Sequence, residues 1–146
     1  MNANAIDPGG PCARLDRSLC QISRYLQHEV QRFHREEGLT PAQALLLNML
    51  GEDGASSVSQ VARNLSVSCS AVTLLAHRLQ AEGLVARVRQ EQDRRVVLLM
   101  LTPVGSEMLE RIVTKRRLTV EQLLVDLSSE DVEALVASVA RLVTGT

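Results

Sequence analysis

Residues 57–102, SVSQVARNLSVSCSAVTLLAHRLQAEGLVARVRQEQDRRVVLLMLT, begin with a helical period and end with a strand period, and that switch decides the fold. Ser57 precedes Val58, Val61, Ala62 and Leu65, the spacing of one helix face over Val58 to Asn64. Ser66-Val67 is a tight connection. Ser68 then caps a longer helix through Glu82, with Ala71, Val72, Leu75 and Leu79 on its inner side, and Gly83 stops it. Beyond Gly83 the segment Leu84 to Arg89 comes to alternate apolar and basic residues, the period of a strand. Gln90 to Arg95 is a fully polar loop, and Val96 to Leu101 is an apolar, β-branched return strand. A helix pair followed by a two-stranded antiparallel hairpin with a charged tip makes a winged helix-turn-helix.

That arrangement offers its second helix to a major groove, with the N-terminal residues nearest the bases. The candidate reading residues are Ser68, Cys69, Ser70, Ala71 and Thr73 in its first turns, then His77 and Arg78. Small side chains admit the backbone, hydroxyls bond bases or phosphates, and arginine pairs bidentately with guanine or holds a phosphate. Arg94 and Arg95 at the wing tip suit the narrower minor groove, where negative potential concentrates.

Working outward, Thr40-Pro41 gives an N-cap and a proline at the first helical position. The helix it opens carries Ala44, Leu45, Leu47 and Leu50 and is expected to stop at Gly51. Before it, Leu15, Leu19, Ile22, Leu26, Val30 and Phe33 form a stripe of about five turns ending near Gly38. After the wing, Thr102-Pro103 repeats the cap-then-proline device and starts a helix to about Leu124. Ser128, with Asp131 three places on, caps a last helix through Val132, Leu135, Val136, Val139, Leu142 and Val143. Residues 1–12, rich in Gly, Pro and Asn, read as a flexible arm. The expected organisation is an arm (1–12), a dimerisation helix (13–39), a DNA-binding region (40–102) and C-terminal dimerisation helices (103–146). The fold class is mainly α with a small β wing, about six helices in all. The outer helices carry more apolar surface than a three-helix core needs. Leu15, Leu19, Ile22, Leu26, Val132, Leu135, Val136 and Val139 are therefore assigned to an interlocked homodimer.

Composition supports this reading. The 146 residues, 45% hydrophobic and 23% charged, suit one folded domain. One Tyr, one Phe and no Trp leave an aliphatic core and exclude modules that stack bases on aromatic platforms. Double-stranded DNA read by a helix is the surviving nucleic-acid partner. Net charge is −1, but residues 56–102 hold six arginines against three acids, while both ends are acidic. One basic face on a near-neutral body fits phosphate contact. No apolar run approaches the roughly 20 residues of a membrane span, and no basic-then-apolar leader opens the chain, so a cytoplasmic protein is expected. Three cysteines, Cys12, Cys20 and Cys69, without a CxxC pair fit reduced thiols. His28 and His34, six apart, fall on different helix faces, so neither a metal site nor a cofactor is expected. No nucleophile triad, paired carboxylate or phosphate loop stands out, and no enzymatic activity is expected.

Three motifs in order then carry a resemblance to the MarR family of winged helix-turn-helix regulators. Residues 65–73, LSVSCSAVT, resemble the entry to that family's recognition helix. Residues 78–87, RLQAEGLVAR, are similar to its RLxxxGLVxR segment, and Asp93-Arg94-Arg95 with residues 101–105, LTPVG, to its DRR…LTxxG wing signature. The resemblance implies a dimer presenting two recognition helices to a palindromic operator, a repressor released by a small effector or by cysteine oxidation. It also implies that Asp93 braces Arg87 while Arg94 touches DNA. Cys20, near the start of the first helix, resembles the reactive thiol of the OhrR/MgrA-like branch, but the tyrosines which that branch places around the thiol are not matched, since Tyr25 is the only tyrosine and lies five residues on. Cys20 and Cys69 are the candidate redox sensors; a small hydrophobe at Cys20 and a tolerated small residue at Cys69 are the plainer readings. A protein–protein adaptor and a peroxide-reactive thiol enzyme are the competing function classes.

Overall fold

In the computed structural model, which describes residues 9–90, 93 and 96–144, the chain folds as six helices and a small antiparallel sheet. Helix α1 (Pro11–Glu36) starts with proline in its first turn, so Cys12 is helical rather than part of an arm. The rest of the expected arm, residues 1–8, lies outside the described residues. Cys12 and Cys20 now stand about 12 Å apart along one helix, too far for an intrachain bridge, and both are free. Gly38, at φ 73°, ends α1: its N–H and that of Leu39 return to the carbonyls of Arg35 and His34.

Helix α2 (Pro41–Asp53) opens on the Thr40–Gln43 capping box. It passes through Gly51 and ends at Gly54, so Gly51 is not the expected stop. A Cβ at Gly51 would overlap the Leu109 side chain, and the glycine serves close packing. Leu46 and Leu47 are fully buried while Leu45 faces out, correcting the expected inner face by one position.

Strand β1 (Ser56–Ser57) was not expected. It pairs with β3 (Val97–Leu101), which pairs with β2 (Val85–Arg89), so the expected hairpin is two strands of a three-stranded sheet ordered β1-β3-β2. Ser57 also caps α3 (Val58–Leu65) in a capping box with Gln60. Ser66, left-handed at φ 54°, closes α3 with the same hydrogen-bond pattern as Gly38: Ser66 N–H reaches Arg63 O and Val67 N–H reaches Ala62 O. Ser68 caps α4 (Cys69–Ala81), its Oγ accepting from Ala71 N at 3.1 Å. Thr102 caps α5 (Pro103–Leu123), and Ser128 Oγ accepts from Asp131 N at the start of α6 (Ser129–Thr144).

Among the described residues, the buried apolar ones all lie between Leu39 and Ile112, from α2, α3, α4, the sheet and the first half of α5. Helix α6 has no buried residue at all. Near the base of α1, His34 is buried, and neither ring nitrogen has a hydrogen-bond partner among the described residues. Burial lowers its pKa from the usual 6.5, so the neutral ring is the native form. Unfolded chains then take up a proton that native chains resist. The stability this preserves is complete above about pH 6.5 and is lost as pH falls toward the lowered native value. Urea midpoints at pH 7.5 and 5.5 should drop in the parent protein and drop less in His34→Leu. Equal drops would clear His34 of the effect.

Candidate nucleic-acid interface

Helix α4 is fastened on one side only. Val72, Ala76 and Leu79 are fully buried, whereas Cys69, Ser70, Leu74, His77 and Arg78 are exposed. At about 100° per residue Ser70, Leu74, His77 and Arg78 fall on the half of the helix turned from the core, whereas Cys69 lies close to the line of Ala76 and is exposed at the helix start. Ala71 and Thr73, expected as reading residues, are half-buried on the two flanks. Ser68 is exposed but its oxygen is engaged by the cap, which leaves its hydroxyl proton for other work. The helix stands on a short turn from α3, and exposed Arg63 near the end of α3 adds charge beside it.

The wing is joined to α4 through Arg87. Its terminal nitrogen donates to the carbonyl of Thr73 at 3.3 Å, and its Nε is buried without a partner among the described residues. Arg87 borders a cleft of about 430 Å³ with Ser57, Val58, Ser59, Thr73, Val96 and Val97. Toward the tip, Gln90 N–H donates to Val96 O and Val96 N–H to Asp93 O. Asp93 is exposed. Arg94 and Arg95, the expected minor-groove pair, lie outside the described residues.

A clasp at the other end of α4 explains two of the sequence motifs. Gly83 is left-handed, and Leu84 N–H returns to Leu79 O. Thr102 Oγ1 donates to Gly83 O at 2.6 Å and accepts from Gly105 N at 3.0 Å, while Thr102 N–H donates to Leu84 O. Gly105 is buried against the Leu84 backbone, where no side chain fits. The Gly83-Leu84 part of the RLxxxGLVxR pattern and the LTxxG pattern are thus the two halves of one joint between α4 and α5.

The residues assigned to dimerisation lie on α1 and α6. Leu15, Leu19, Ile22, Leu135, Val136 and Val139 are exposed, and Leu26 and Val132 half-buried. Leu118, Leu123 and Val125 extend the same apolar character along the end of α5 and beyond it. Cys12, Cys20 and Cys69 are all exposed free thiols. In the single chain Cys20 is exposed beside Leu19, Ser23 and Arg24. Sequence reasoning passed over Leu74 and Arg63. A helical wheel built outward from Val72 and Leu79 exposes Leu74, but any leucine in a periodic pattern is first taken as core.

Among the described residues no helix is long and apolar enough to cross a membrane, and no cluster of three or more His, Cys, Asp or Glu could hold a metal. A family model described as MarR family matches residues 39–97. The HTH-type transcriptional repressor MdtR of Bacillus subtilis (strain 168) is 35% identical over 114 residues, spanning 78% of this chain and 74% of its own. Among solved structures, the YusO protein from Bacillus subtilis superposes with a TM-score of 0.80 at 31% identity, covering 92% of this chain and 96% of that one. A MarR family protein from Bacillus stearothermophilus gives 0.82 at 28%, with 92% and 94% covered.

Proposed function

Because the chain belongs to the MarR family of DNA-binding transcriptional regulators, we propose that it is a sequence-specific repressor that binds a palindromic operator as a homodimer. The observation that carries this reading is the free outer half of α4, where Ser70, His77 and Arg78 are exposed and unneeded by the core. Repression follows the sense of the relative MdtR, which is named a repressor. Two subunits joined through α1, α5 and α6 would set two such helices on successive major-groove faces. Asp93 braces Arg87 at the base of the wing, and Arg94 and Arg95 follow the adjoining minor groove. Release comes from a small effector or from oxidation of Cys20 or Cys69, in a cytoplasm that keeps both thiols reduced until then. The exposure of Cys20 supports its access to an oxidant. The protein has no enzymatic role in this scheme.

Fluorescence anisotropy with the duplex upstream of its own gene tests the proposal. Binding should weaken steeply with salt, because each phosphate contact releases counterions. Arg78→Ala should lower affinity and flatten the slope of log affinity against log salt by about one for each phosphate contact removed. Absence of salt-sensitive binding, or an unchanged affinity in Arg78→Ala, would refute this use of α4 and favour a protein–protein adaptor.

A further inference from the structure

We infer that Leu74 is a specificity-determining residue of α4, packing against thymine methyl groups in the major groove; this rests on the assignment of α4 as the DNA-reading helix. Leu74 lies about 200° around the helix from Val72, and Ala76 and Leu79 flank Val72 on the buried side. It therefore stands within about 20° of the outward pole of α4. It is 56% exposed, one turn after Ser70 and one turn before Arg78, with His77 beside it. Single exposed leucines are ordinary on protein surfaces, so exposure alone says little. Its place does: the centre of the face that enters the groove is apolar, while the polar groups sit around it.

Base edges in the major groove offer donors, acceptors and one apolar group, the thymine C5-methyl. A leucine pressed against a cytosine amino group or a guanine carbonyl strips water from it and returns no hydrogen bond. Against thymine, its methyls and the base methyl leave water together. Leu74 thus rewards thymine and penalises G·C pairs at the base step facing the middle of α4. It is not among the residues of the core.

The test uses the full chain and a duplex enriched from a random-sequence pool by repeated binding. Each thymine of the enriched duplex is replaced singly by uracil, which removes the methyl and keeps every hydrogen-bonding group. Wild-type affinity should fall about fourfold for each methyl that Leu74 contacts. Leu74→Ala, at an exposed site and with a better helix former, should keep the wild-type salt slope. It should bind the thymine duplex more weakly than wild type and be indifferent to uracil at those positions. Uracil without effect on wild type overturns the inference, as does a Leu74→Ala protein that keeps full methyl sensitivity. Enrichment of no duplex overturns the DNA-reading assignment itself, and the inference with it.

Discussion

Gly105→Ala is expected to cost about 4–5 kcal/mol or more and to leave little folded protein. The added Cβ would overlap the Leu84 carbonyl oxygen, with the carbonyl carbon only 2.9 Å away. Both atoms are backbone, so no rotamer change relieves the overlap; the start of β2 or of α5 has to move. Movement there also breaks the clasp, since Thr102 bonds Gly83 O, Gly105 N and Leu84 O within the same few ångströms. Gly51→Ala is the internal control. Its new methyl meets the end of the Leu109 side chain, which can turn aside, and overpacking of that kind costs about 1–3 kcal/mol. Urea unfolding of the two variants beside the parent decides the matter. A Gly105→Ala protein within about 1 kcal/mol of the parent would show that the joint yields as easily as a side chain, contrary to the close packing of interiors.

Leu19→Glu should separate the subunits while leaving each one folded. Leu19 is 55% exposed in the single chain, so a carboxylate there costs the fold little, whereas two of them in a shared apolar interface would be charges without partners. Loss of the dimer turns two linked contacts with an operator into two separate ones. Linkage of that kind is worth about 10²–10⁴ in affinity, and the variant should lose a factor in that range. Sedimentation equilibrium reads the first effect, anisotropy on a palindromic duplex the second, and urea unfolding checks the fold. A variant that remains dimeric with undiminished binding would place the subunit contact elsewhere.

The architecture was largely legible because its helix starts are written in local chemistry. Thr40-Pro41, Ser57, Ser68 and Thr102-Pro103 each cap the helix expected of them. What escaped was set by tertiary contact. Two residues of β1 are too few to show a period, and only pairing with Leu98 and Leu99 makes them a strand. Gly51 reads as a stop until Leu109 is seen to lie on it. On α4, the exposure of Ser70, His77 and Arg78 follows from helical position alone, but the half-burial of Ala71 and Thr73 depends on what flanks the helix. The contact of Arg87 with the Thr73 carbonyl joins residues 14 apart in sequence, with no pattern to announce it.

Ser66 carries a consequence for the docking step. The ends of α1 and α4 turn on glycines, Gly38 and Gly83, yet the turn between α3 and α4 makes the same left-handed bend with a serine. A left-handed residue with a Cβ costs about 1–2 kcal/mol. Set against that, a serine has less backbone freedom to lose than a glycine would, so part of the cost returns when the chain folds. The serine thereby narrows the conformations open to the turn between the two helices. If α4 docks on a duplex as proposed, a narrowed turn leaves less disorder to be removed on binding, and more of the contact energy appears as affinity. In the proposed complex Ser70, Leu74, His77 and Arg78 would thus be presented on a helix whose entry turn is already narrowed.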